Sequence, residues 1–166
     1  MHLIAAYGEV VDLVDVAVEA TFDLRLAVLG WTVARTGIDR DDASHLALVD
    51  RRAVVATVSH MAWTCPDAPD IPARYFWAMA VDATYQRCGY GRRLLEALAA
   101  RARTAGEQLM WADARESAID FYRACGAQVV GEPYRDDVTG LVDRRIILTL
   151  SPTPRSSPTH GPGPVM

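Results

Sequence analysis

The segment from Tyr75 to Ala105 constrains the fold more than any other part of the chain. Tyr75-Phe76-Trp77-Ala78-Met79-Ala80-Val81 is an uncharged, aromatic-rich run, the pattern of a strand buried at the centre of a sheet. From Arg92 to about Ala105, Leu94, Leu95, Leu98, Ala99 and Ala102 return at helical spacing, and Gly106 stands where a helix stops. Gln86-Arg87-Cys88-Gly89-Tyr90-Gly91 joins the two, so strand, glycine turn and helix follow one another in an α/β arrangement. A helix start offers backbone N–H groups without intrahelical partners and the positive end of the helix dipole. Glycines, lacking Cβ, let a pyrophosphate approach such a backbone closely. A tight turn with no ligand is the competing reading. Two other glycine loops are excluded: the nucleotide P-loop needs a Lys that this chain lacks, and the dinucleotide fingerprint needs a third Gly where Leu94 stands.

Around this unit the pattern alternates. Apolar residues from Val10 to Val28 fall mostly at helical spacing between acids and predict one or two amphipathic helices over residues 9–30. After a polar loop at residues 37–42, His45–Val49 and Ala53–Met61 read as a hairpin about Asp50-Arg51-Arg52. Thr64–Pro72, with three prolines and two aspartates, reads as an exposed loop. Leu109–Ala112 is a buried strand, and a helix is expected over about 115–124, with Asp113 and Glu116 at capping-box spacing and Cys125-Gly126 at its end. Val129–Gly131 and Arg144–Leu150 supply two closing strands around an acidic loop, 132–143. Residues 151–166 hold five prolines, three serines and two glycines and predict a disordered tail after a single domain at 1–150.

Composition narrows the function classes. A chain of 166 residues can bury a core without disulfides or a structural metal. A formal charge of −4 with no basic surplus argues against a duplex nucleic-acid partner and mildly favours cationic ones. All 17 basic residues are Arg, which excludes lysine-based mechanisms. Cys65, Cys88 and Cys125 form no C-x-x-C pair, so neither a disulfide framework nor a metal site is indicated, and a reducing compartment fits best. The apolar stretch near the amino terminus is interrupted by Asp12, Asp15, Glu19, Asp23 and Arg25, which predicts neither a leader nor a membrane span and leads to a cytoplasmic expectation.

The turn at Gln86, Gly89 and Gly91 matches Q/R-x-x-G-x-G/A, and a second segment, Ala118-Ile119-Asp120-Phe121-Tyr122-Arg123-Ala124-Cys125-Gly126, matches A-x-x-F-Y-x-x-x-G. In this order and separation the two motifs resemble those of the GNAT superfamily of N-acetyltransferases. Leu24-Arg25 and Asp42-x-x-His45-Leu46 are similar to further elements of a broad subgroup, so the likeness spans roughly residues 20–150. Ala127 stands where the family usually has Phe, and Arg115 where many members carry Asn. The resemblance implies a central mixed, mostly antiparallel sheet flanked by helices, with a cofactor cleft between splayed central strands. It implies acetyl-CoA as co-substrate and no metal. The backbone of Met79, Ala80 and Val81 would pair with the pantetheine arm, and Gln86, Arg87, Cys88, Gly89, Tyr90, Gly91 and Arg92 would cradle the pyrophosphate, with Arg93 a further charge nearby.

The implied reaction is attack of a neutral amine on the thioester, with the oxyanion held by a backbone N–H near Val81 and Tyr122 serving the departing thiolate. A phenol of pKa about 10 facing a thiol of about 8.5 makes full proton transfer uphill by roughly 2 kcal/mol, so hydrogen bonding to the thiolate is its expected service. Many members place a Glu on the central strand as base; here Arg74 to Val81 has no acid, which leaves Asp113, His60, His45 or a water relay. Asp113 also reads as a helix cap and the histidines as structural residues. Asp136-Asp137 with Asp143 could attract a cationic acceptor, or be a solvated turn. The acceptor is an amine, small molecule or peptide, and the likeness leaves room for a homodimer. The alternative is a non-catalytic acyl-CoA-binding or sensory module of the same fold, for which the missing strand acid is the best support.

Overall fold

Arg51 and Arg52 both take left-handed φ angles, +46° and +73°, which turns the chain tightly enough for Asp50 to face Ala53. The strands that meet there, β2 (Ser44–Asp50) and β3 (Ala53–Ala62), are the predicted hairpin. The structure is a computed structural model that describes residues 11–31, 41–137 and 139–152. The predicted tail beyond residue 152 and most of the loop at 37–42 lie outside the described residues.

Five further strands complete one sheet: β1 (Asp12–Val16), β4 (Ala73–Val81), β5 (Leu109–Arg115), β6 (Gln128–Arg135) and β7 (Val142–Thr149), in the order β1-β2-β3-β4-β5-β7-β6. All neighbours run antiparallel except β4 and β5. That parallel pair needs a crossover, which α2 (Tyr90–Thr104) provides. Helices α1 (Phe22–Leu29) and α3 (Ile119–Ala124) complete the described elements. The principal core packs Leu46, Leu48 and Val58 of the sheet with Phe76 and Met110 against Leu94 and Leu98 of α2. A smaller cluster, Cys65, Ala73, Leu109 and Trp111 with Tyr75 against it, is separate from this core. No helix among the described residues is long and apolar enough to cross a membrane.

Four sequence expectations need correction. Residues 12–16 form an edge strand, not a helix; in so short a segment Leu13, Val14 and Val16 satisfy either period, and pairing with β2 decides. Only Phe22–Leu29 is α-helical there, after a 3₁₀ turn at Val18–Thr21. Asp113 caps nothing: it lies within β5, and the helix that follows starts through a 3₁₀ turn, Glu116–Ala118, without a side-chain cap. Lastly, β6 runs on to Arg135 and β7 starts at Val142, so the loop between them is shorter than expected. Pro133 is accommodated because β6 is an edge strand whose register breaks between Val130 and Tyr134. Helix α2 starts two residues before Arg92.

A buried polar chain ties β3, β4 and the segment before β5 together. Arg74 donates Nε and Nη2 to Glu107 at 2.6 and 2.9 Å, and Nη1 to His60 Nδ1 at 2.8 Å. Accepting that bond keeps His60 neutral, and burial followed by the nearby Arg74 charge lowers its pKa from 6.5 to about 4. The folded state therefore binds the proton less readily than the unfolded chain. Its contribution is intact above pH 6.5 and is lost as pH falls towards 4, a total of roughly 3 kcal/mol. Urea unfolding of wild type and His60→Gln at pH 7 and pH 4 should show the variant losing less stability on acidification by an amount of that order. Parallel losses in the two proteins would refute the assignment.

Candidate active site

β4 and β5 pair over three residues only, Ala73 with Leu109, Arg74 with Met110 and Tyr75 with Trp111. Beyond them β4 stays with β3 as far as Val81 and β5 stays with β7 as far as Arg115, so the sheet splits between its two central strands. One residue too many in β4 accompanies the split. Thr57 pairs with Ala80 and Ser59 with Trp77, so two steps along β3 match three along β4, and Ala78 takes φ +50°. Such a bulge interrupts ladder pairing and re-aims the backbone, and a non-glycine residue in this region is held there against its own preference.

A cavity of about 960 Å³ occupies the split. Phe76, Ala112 and Tyr122, from the main core, line it together with Tyr75 and Trp77. Val28–Trp31, and Asp136, Thr139 and Leu141 from the loop joining β6 and β7, also line it.

The glycine turn lies at the carboxyl end of β4. Gly89, at φ +84°, is the residue before α2, whose start has neither a side-chain cap nor an acid in its first turn. The first amides of this helix therefore keep their hydrogens available. Gly91 is buried under α3, and a Cβ there would sit 2.9 Å from the Phe121 ring, so this glycine is needed for close packing of the two motifs. Gln86 donates its amide to the Val81 carbonyl at 3.0 Å, a bond that closes the turn. Arg92 and Arg93 each donate to a backbone carbonyl, of Ala124 at 2.9 Å and Val11 at 2.8 Å. Arg87 is exposed, as are Cys88 and Gly89, while Tyr90 is half-buried.

Tyr122 reaches the cavity from α3 with its ring packed against Phe76 and Phe121, at centroid distances of 5.9 and 5.0 Å. Its hydroxyl contacts the Met79 sulfur at 3.8 Å. Burial pushes the phenol pKa well above its ordinary value, so the group is a hydrogen-bond donor throughout the working pH range.

The structure separates the three base candidates. Asp113 lines the cavity, but Arg145 holds it with Nη2 at 3.0 Å and Nε at 3.1 Å. His60 belongs to the Arg74 chain and does not line the cavity. His45 is bound through Nδ1 to Ser59 Oγ at 2.7 Å, which Arg25 Nη2 also reaches at 2.6 Å, and it lines a different, shallower hollow beside Asp15 and Asp41. Sequence reasoning missed the bulge, Tyr75, Trp77 and Tyr134. Alternation along β4 could have placed Tyr75 and Trp77 on one face, but no acid or His marked them.

The family model described as Acetyltransferase (GNAT) family matches residues 13–127. Among solved structures, an IAA acetyltransferase from Bacillus cereus shares 16% identity at a TM-score of 0.64, over 84% of this chain and 99% of that one. A GNAT family acetyltransferase from Elizabethkingia anophelis, with acetyl-CoA bound, shares 12% at 0.64 over 84% and 98%. An N-acyl amino acid synthase from uncultured soil microbes shares 11% at 0.69 over 86% and 93%. No curated protein is significantly similar in sequence.

Proposed function

The chain belongs to the GNAT acetyltransferase family, and from that premise we propose that it transfers an acetyl group from acetyl-CoA to a primary amine. The observation that carries the proposal is the split sheet: an unpaired β4 edge, with a cavity along Tyr75 to Met79, leads to an uncapped, glycine-bearing helix start. The fit with the co-substrate rests on this chain's own groups. Backbone amides from Arg87 to Arg92 suit a diphosphate, and the exposed Arg87 guanidinium is free to join them. The edge from Met79 to Val81 suits an extended amide-bearing arm, although the Val81 carbonyl already accepts from Gln86.

Bound acetyl-CoA would supply the thioester carbonyl and a thiolate leaving group. Ala78 and Met79, which have no register partner in β3, would offer backbone N–H groups to developing negative charge. Tyr122 Oη, released from its weak sulfur contact, donates its hydrogen bond to the departing sulfur and keeps its own proton. Asp113, paired with Arg145, orients that guanidinium and takes the amine proton only through water. The same pairing supports a second reading, a module that binds acyl-CoA without turnover.

Two measurements test the proposal. Saturating coenzyme A at about 100 times its Kd should stabilise the fold by about 2.7 kcal/mol, or roughly 5–10 °C in Tm for a chain of this size. Thiol release from acetyl-CoA should depend on added amine. A shift without amine-dependent release selects the binding module, and no shift at all overturns both readings.

A further inference from the structure

The turn at residues 86–91 holds a conformation that its own sequence does not secure. Arg87 and Gly89 both take left-handed φ angles, +63° and +84°. Turns with residues of this hand gather successive backbone N–H groups into a concavity that suits an anion. Glycine adopts the angle without steric penalty, but a residue with a side chain does not, so Arg87 keeps it only where the surroundings impose it.

The turn is held on both sides. After it, the Gly89 carbonyl accepts from the Arg93 N–H at 3.0 Å, and the Arg92 guanidinium donates to the Ala124 carbonyl, which fixes the exit to α2 and to the end of α3. Before it lies a 3₁₀ turn, Ala83–Tyr85, that opens at Asp82. The Asp82 N–H donates to the Val55 carbonyl of β3 at 2.8 Å, and its carboxylate accepts from the Thr84 N–H at 2.9 Å. Tyr85 ends this turn and adjoins Gln86, and its hydroxyl donates to Asp50 Oδ2 at 2.5 Å. Asp50 is the last residue of β2 and is 7% exposed. Keeping a carboxylate so far from water is unfavourable unless a donor meets it. Arg51 Nε lies 4.0 Å from Asp50 on an exposed side chain, so the Tyr85 hydroxyl is the shorter contact. The Tyr85 and Tyr90 rings, one before the glycine turn and one after it, lie 5.5 Å apart, and both pack against the principal core.

We propose that Tyr85, held by Asp50, is a positioning residue for the co-substrate: the pair sets the turn at 86–91 in its anion-receiving shape before acetyl-CoA arrives. Tyr85 acts through the turn and not on the reacting atoms. A turn already set does not have to be ordered by its ligand, so the hydrogen bond between two protein groups appears as affinity for a third. The inference rests on the reading of residues 86–92 as the diphosphate cradle.

The test compares full-length wild type with Tyr85→Phe, Asp50→Ala and Asp50→Asn. Tyr85→Phe keeps the ring against Tyr90 and removes only the hydroxyl. Two quantities are read: the Kd for coenzyme A by calorimetry, and, in the free protein, hydrogen exchange at the amides of residues 85 and 93, which are bonded to the Asp82 and Gly89 carbonyls on the two sides of the turn. In Tyr85→Phe and Asp50→Ala the Kd should rise about tenfold, the effect of one hydrogen bond to a charged group. Exchange at residues 85 and 93 should quicken severalfold while amides of β7 exchange as in wild type. Asp50→Asn, whose amide oxygen can still accept from the phenol, should stay within about threefold of wild type in both, a rescue that a general loss of stability would not give. An unchanged Kd in Tyr85→Phe, unchanged exchange at both amides, or an Asp50→Asn as impaired as Asp50→Ala overturns the proposal. Failure of the wild type to bind coenzyme A sinks the cradle reading and the proposal with it. Wild-type binding with an unchanged Kd in Tyr85→Phe sinks the proposal alone.

Discussion

Tyr122→Phe should lower kcat by roughly 10- to 100-fold, the range for one hydrogen bond to a charged group, with KM for thioester and amine nearly unchanged. The substitution removes only the hydroxyl, because the ring's contacts with Phe76 and Phe121 are made by carbon and remain. Steady-state kinetics with any accepted amine measures the split. A fall confined to KM would mean that the phenol helps binding and not the transition state. Burial raises the phenol pKa, so Tyr122 stays protonated where an exposed tyrosine would begin to ionise. Activity of the wild type should accordingly show no loss between pH 9 and 10 that Tyr122→Phe abolishes.

The largest stability effect is expected at Arg74. Arg74→Met leaves the Glu107 carboxylate, 7% exposed, without its bidentate partner and takes the donor from His60 Nδ1. Uncovering one half of a buried ion pair costs about 3–5 kcal/mol, equivalent to a fall in Tm of about 6–20 °C. Scanning calorimetry gives the shift, and the double variant Arg74→Met with Glu107→Leu should recover part of it because no stranded charge remains. A single variant within 1 °C of wild type would show that the chain Glu107-Arg74-His60 holds nothing together. The location matters for the site as well, since Arg74 sits in the short stretch over which β4 and β5 still pair.

Much of this architecture is legible in the sequence. The charge-free run at 75–81 read as a central strand from its continuous apolarity, and the leucines at 94, 95 and 98 fell at helical spacing, so the unit from β4 to α2 followed from local pattern. The match of Gln86, Gly89 and Gly91 with the later Phe121-Tyr122 pair brought in the fold. Gly91 shows why they travel together, because it packs under Phe121. Other features depend on partners that local pattern does not contain. Asp12–Val16 is a strand because β2 offers an edge, and Asp113 is an ion-pair partner because β7 brings Arg145 opposite it. The extra residue at Ala78 has no composition signal, since alanine is not a residue that announces a left-handed turn. Asp136 and Asp143 were visible as acids near a loop, but only the sheet brings them around one cavity with Trp77.

The three-residue seam between β4 and β5 makes the sheet two leaves bound at one margin, β1 to β4 on one side and β5, β7 and β6 on the other. Whatever lodges between the leaves becomes a spine that both grip, so occupancy and cohesion of the whole sheet rise and fall together. With so few ladder pairs across it, that seam is where the sheet is expected to open first.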